Sequence, residues 1–131
     1  MILLDTHILI WQTLQPENLS PAAAQAVKRA LNTEDILIAD ITLWEIAMLM
    51  SKERLQLPIP YTEFISLIRK ALPLQIECIS PEIADLSVSL GQDLNLDPAD
   101  RLIAATSIIR GTPLITADRK LRQNPLIRTI W

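Results

Sequence analysis

The chain has 131 residues, half of them hydrophobic, only two glycines, and a formal net charge of −3 at pH 7. It is long enough for one domain, residues 1–131, with a real core, and too apolar to be disordered. No apolar run approaches the roughly 18 residues that span a bilayer, no cleavable leader is visible, and the lone Cys78 cannot close an internal disulfide. A cytoplasmic protein without membrane contact is expected, with Cys78 as a small buried hydrophobe. One His and one Cys exclude a His/Cys zinc site. The negative charge argues against strong nonspecific binding of nucleic acid by the bare protein.

Met1 to Thr6 reads MILLDT, and Ile2, Leu3 and Leu4 do not alternate with polar residues. A strand there is buried on both faces, as in a parallel sheet, and it ends on Asp5. Ile8 to Leu14 predicts a short helix, broken at Gln15-Pro16. Ser20 as N-cap and Pro21 at the first helical position open a second helix to about Asn32, with Ala23, Val27, Ala30 and Leu31 inward. Ile36 to Ala39 is the second strand, and Thr42-Leu43-Trp44-Glu45 reads as a capping box opening a helix to about Ser51. Lys52, Arg54 and the prolines at 58 and 60 make a connection. Phe64, Leu67, Ile68 and Ala71 mark one face of a fourth helix, stopped by Pro73, and Leu74 to Ile79 is a third strand.

Ser80-Pro81 repeats the helix start, with Ile83, Leu86 and Leu90 inward, and Asp97-Pro98 starts a helix that ends at Gly111. Leu114 to Thr116 is the fourth strand, Asp118 to Arg122 a helical turn, and Ile127 to Ile130 a last short strand. Strands alternating with helices or helix pairs predict an α/β fold, a mostly parallel sheet of four to five strands flanked by helices on both faces. Trp11, Trp44 and Trp131 are scattered along the chain and read as packing residues, too far apart for a stacking platform.

In open sheets of this kind ligands bind beyond the C-terminal ends of the strands. Asp5 ends strand one, Glu45 lies in the first turn of the helix after strand two, and Asp118 follows strand four, so these three are expected on one edge. Asp100 precedes its strand and joins them if its helix follows one that has already crossed back. Glu45 is the sole charge between Ile41 and Met50, on a helix apolar on nearly every side, so it is expected to face inward and to want a cation. Asp97 is expected to be the N-cap and Asp100 the site residue. His7 as a general base and Asp40 as a further acid stay open.

MILLDTHILIW, ITLWEIA, LDPADRLIAAT and LITADRKL, in this order and over essentially the whole chain, resemble the PIN-domain ribonucleases, above all the VapC-type toxins of bacterial toxin–antitoxin pairs. The resemblance implies that Asp5, Glu45, Asp100 and Asp118 are the metal-binding and catalytic acids, with Thr6 and Thr116 as hydroxyl neighbours and Asp97 in support. It also implies an endoribonuclease leaving a 3′-hydroxyl and a 5′-phosphate, a small antitoxin protein that blocks the site, and a homodimer. The match departs mildly at Ala39-Asp40, where relatives more often carry small or hydroxyl residues.

Four carboxylates in one cleft raise one another's pKa, and a set of hard oxygen donors suits Mg²⁺ or Mn²⁺. Taking four acids out of a net charge of −3 leaves +1, so a metal-loaded protein need not repel an RNA substrate. Arg101, Arg119 and Lys120 are candidate RNA contacts. The non-enzymatic alternative is an inactive metal-binding PIN-like interaction module. A third reading, an aspartate-based phosphotransfer domain, fails at His7, where a phosphatase of the haloacid-dehalogenase type wants an aspartate, and at Ser80, where a receiver wants its phosphoacceptor.

Overall fold

The computed structural model describes residues 1–131, apart from the side chains of Gln92, Asp93 and Leu94. Five strands, β1 (Ile2–Leu4), β2 (Ile36–Ala39), β3 (Leu74–Glu77), β4 (Leu114–Ile115) and β5 (Thr129–Ile130), form one sheet. Its order is β3-β2-β1-β4-β5 and every pairing is parallel. Seven helices surround it: α1 (Thr6–Leu14), α2 (Pro21–Thr33), α3 (Ile41–Ser51), α4 (Tyr61–Ala71), α5 (Pro81–Leu94), α6 (Pro98–Arg110) and α7 (Arg119–Arg122).

The strand pleat divides the core in two. Ile2, Leu4, Ile36 and Ile38 pack with Ile8, Val27, Ile46 and Phe64 of α1 to α4, whereas Leu3, Leu37 and Ala39 pack on the opposite face with Ile83, Leu90, Ile103 and Leu121 of α5 to α7. Both faces of the central strands are therefore dry, which is why their sequences are continuous apolar runs without alternation.

The chain winds outward from β1 through β2 to β3, then returns to lay β4 on the other side of β1. The winding thus reverses between β1 and β4, paired through Leu3↔Leu114 and Leu4↔Ile115. At such a switch point the loops beyond the two strand ends splay apart and leave a crevice.

Helix starts follow the polar residues that satisfy their first amides. Ser20 Oγ accepts from Ala23 N at 3.1 Å, Ser80 Oγ from Ile83 N at 3.2 Å, and Asp97 Oδ1 from Asp100 N at 2.8 Å. Gly111 ends α6 at φ 59°, in the left-handed region.

Four expectations need correction. The capping box does not form: α3 starts at Ile41, Asp40 is already helical at φ −60° and ψ −30°, and fully buried Thr42 lies inside the first turn. In α4, Phe64 and Ile68 are buried, but Leu67 is half exposed and Ala71 exposed, because the helix turns its Tyr61, Phe64, Ile65 and Ile68 side to the core. β3 stops at Glu77, which leaves Cys78 exposed at the sheet's edge. Trp44 is 56% exposed, while Trp11 and Trp131 stand 6.0 Å apart between ring centroids.

Candidate active site

Asp5 leaves β1 and becomes the N-cap of α1 at the crevice. Its amide donates to Ile115 O of β4 at 3.1 Å, so the two strand ends are fixed against each other. Both carboxyl oxygens are held. Oδ1 accepts from Thr6 N at 2.8 Å, and Oδ2 accepts from Thr116 Oγ1, at the end of β4, at 2.6 Å. Thr116 Oγ1 in turn accepts from Asp118 N at 3.1 Å, which ties the turn carrying Asp118 to the same point. Asp118 Oδ1 caps α7, accepting from Lys120 N at 2.8 Å and Leu121 N at 3.2 Å.

Glu45 arrives from the neighbouring strand's helix. Its Oε1 accepts a short hydrogen bond from Thr6 Oγ1, whose oxygen lies 3.1 Å from Thr42 Oγ1. A hydroxyl has one proton, and Thr6 gives its own to Glu45, so Thr42 donates to Thr6. The buried relay Thr42, Thr6, Glu45 locks α3 to α1. Nothing in the sequence distinguishes this Thr42 from a helix cap; only the packing of α3 on α1 does.

Asp5, Glu45, Asp97, Asp100 and Asp118 line one open cleft of about 400 Å³, together with His7, Trp11 and Ala117. Asp97 both caps α6 and faces this cleft. His7 stands exposed on its rim, edge-on to Trp11 at 6.1 Å. Asp40 turns away: its Oδ2 accepts from Ile79 N at 3.0 Å and so clamps the end of β2 to the segment after β3. Arg119 and Lys120 line a groove that shares Asp97, Asp100 and Asp118 with the cleft. Arg101 lies over the bare backbone of Gly91, in the seam between α5 and α6, and lines neither hollow.

Burial raises the pKa of Asp5, against the hydrogen bonds from Thr116 and Thr6 that lower it. Burial likewise raises Glu45, opposed by Thr6 and reinforced by repulsion from Asp5 and Asp97. Asp100 is pushed up to about 7, first by burial and then by the negative charges of Asp97, Asp5, Glu45 and Asp118. Carboxyls with too few positive partners are the electrostatic signature of a site that takes a cation. The donors are all hard oxygens, which fits Mg²⁺ or Mn²⁺ and not a thiophilic metal. Among the described residues no three of these acids converge as a finished coordination sphere; Asp5, Glu45 and Asp118 each commit an oxygen to a threonine hydroxyl or a helix amide.

A family model for the PIN domain matches residues 2–125. The chain belongs to the PIN-domain family. This PIN domain is 38% identical to Ribonuclease VapC22 of Mycobacterium tuberculosis over 132 aligned positions, 99% of this chain and 98% of that protein. Among solved structures it resembles a toxin–antitoxin complex from Klebsiella pneumoniae at 25% identity and a TM-score of 0.68, covering 97% of this chain and 95% of that one. VapBC2 of Rickettsia felis, bound to a DNA fragment from its promoter, has the same fold at 20% identity and a TM-score of 0.74, over 98% of this chain and 97% of that one. The parallel five-stranded sheet and the carboxyl-lined switch-point cleft are thus set in a PIN fold.

Proposed function

We propose that this PIN domain is a divalent-metal-dependent endoribonuclease acting as the toxin of a toxin–antitoxin pair. The observation that carries the reading is the cleft itself, where acids from four separate segments of chain meet and burial raises the pKa of three of them, Asp5, Glu45 and Asp100. The likeness to a ribonuclease over essentially the whole chain supports the same chemistry. Asp5, Glu45, Asp100 and Asp118 are the residues proposed to hold Mg²⁺ or Mn²⁺, with Asp97, Thr6 and Thr116 in support.

When bound, such an ion supplies positive charge at the attacked phosphate and acidifies the attacking water. The chain's own residues do the positioning. Thr116 fixes Asp5 and the Asp118 turn, the Thr42–Thr6 relay aims Glu45, and the Asp97 cap orients the first turn of α6 that carries Asp100. The amide of Thr6 holds Asp5 Oδ1 and those of Lys120 and Leu121 hold Asp118 Oδ1, so these two carboxyl groups are oriented by the chain itself.

The Klebsiella pneumoniae complex supports a protein antitoxin as partner, and a homodimer is part of the same proposal. No described helix is long and apolar enough to cross a membrane. The test is cleavage of an unstructured RNA by purified protein in Mg²⁺ or Mn²⁺ and in excess EDTA. Metal-dependent internal cuts, abolished in folded Asp5→Asn and Asp100→Asn, are expected; wild-type protein inert with either metal overturns the reading in favour of an interaction module.

A further inference from the structure

Two tryptophans 120 positions apart meet beside the carboxyl cleft. Trp11 lines the cleft, and its ring stands 6.0 Å from that of Trp131, tilted by 45°. Trp131 in turn lines a separate hollow with Arg119, Arg122, Gln123 and Thr129. The pair therefore bridges the acid cleft and an open groove whose charged side chains are two exposed arginines. Both indoles are half-buried: each packs against the α1–α4 core layer, each lines a hollow with its exposed part, and Trp11 also meets His7 edge-on. Neither arginine forms an ion pair: among the described residues the one salt bridge is Arg110 to Glu77 at 3.7 Å, on another part of the surface.

Free guanidinium groups beside open aromatic faces are the means by which proteins hold a single-stranded polynucleotide without reading its sequence. The cations track phosphates and the rings stack bases. A strand crossing from the groove to the cleft meets positive charge, then aromatic surface, then the carboxyls, which is the order that feeds a phosphodiester to a metal-dependent centre. Resting on the nuclease reading above, we propose that Trp11 and Trp131, with Arg119 and Arg122, form a docking platform for single-stranded RNA flanking the scissile bond. Trp131 stacks a base and the arginines hold its neighbouring phosphates.

The test is fluorescence anisotropy with a labelled single-stranded RNA of about 12 nucleotides, using the full chain carrying Asp100→Asn so that the strand is not cut. In that background Trp131→Ala is expected to weaken binding about ten-fold or more, with Trp131→Phe recovering most of it. An abasic strand of the same length is expected to bind equally to both, a result that simple loss of packing would not give. Arg119→Gln with Arg122→Gln is expected to lower the slope of log affinity against log salt by about 1.4, the value for two phosphate contacts on a single strand. Unchanged RNA affinity in folded Trp131→Ala, or equal weakening for the abasic strand, overturns the platform. DNA of the same sequence binding more tightly than RNA overturns the choice of RNA as occupant. Cleavage by wild-type protein is measured alongside, so that an inert wild type marks failure of the nuclease reading and not of the platform.

Discussion

Asp100 has its pKa pushed up to about 7 from 3.8, by burial and by the negative charges around it. Between those values the folded protein binds more protons than the unfolded chain, so the linked stability is fully present below about pH 4 and lost as pH rises through about 7. Raised Asp5 and Glu45 act with the same sign. In metal-free buffer the melting temperature is expected to fall between about pH 5 and 8, and the fall is expected to be smaller in Asp100→Asn, which cannot titrate there. An equal slope in both proteins would show that Asp100 does not feel its neighbours. Asp97→Asn should be milder for activity than Asp100→Asn, since Asn caps a helix about as well as Asp; comparing metal-dependent cleavage rates of the two folded variants checks it. Single acids were legible in the sequence because a charge closing a buried strand, or alone on an apolar helix, requires a reason. Thr42 was not, because its role depends on the packing of α3 against α1, and a hydroxyl one residue inside a helix looks the same as a cap.

Elements converge on the site through one buried hydroxyl. Thr116, at the end of β4, donates to Asp5 and accepts from the amide of Asp118, so two of the acid-bearing segments depend on it. Thr116→Val keeps the shape and removes the bond, leaving a buried carboxyl short of a donor; a loss of about 1.5–3 kcal/mol is expected in urea unfolding. The loss should come with slower cleavage, because Asp5 Oδ2 is no longer held and only the Thr6 amide still orients the carboxyl. Full stability in this variant would mean that Asp5 finds another donor. Gly111→Ala probes a different element end: no atom lies within 4 Å of the added methyl, so only the left-handed φ of 59° opposes it. A cost of about 1–2 kcal/mol by the same measurement is expected, without change in cleavage. Helix starts at Ser20, Ser80 and Asp97 and the stop at Gly111 were legible because each is set by one polar side chain or one backbone angle. The inward face of α4 was not, since Phe64, Leu67, Ile68 and Ala71 and the observed Tyr61, Phe64, Ile65 and Ile68 fit a helical period equally well.

Across the whole molecule, the reversal of strand order between β1 and β4 gathers residues that are remote in sequence onto one edge. The alternation of strands and helices made the parallel sheet and the shared edge legible, including the return of Asp100 through the α5–α6 pair. It gave no sign that Trp11 and Trp131 would meet, because that pairing requires knowing that β5 lies beside β4 and brings its end over α1. The same gathering concentrates negative charge, and a cation that relieves it must stabilise the fold. At a dissociation constant of about 1 mM, about 10 mM Mg²⁺ adds roughly 1.4 kcal/mol, a few degrees in melting temperature for a domain of this size. Thermal melts with and without Mg²⁺, at fixed ionic strength so that screening is not mistaken for binding, put that directly to the test. The account predicts a clear rise for wild type and a sharply smaller one for Asp5→Asn, whose melting temperature without metal is as high as wild type's or higher. Equal metal-induced shifts in the two proteins would contradict it, since Asp5 would then be no part of a metal site.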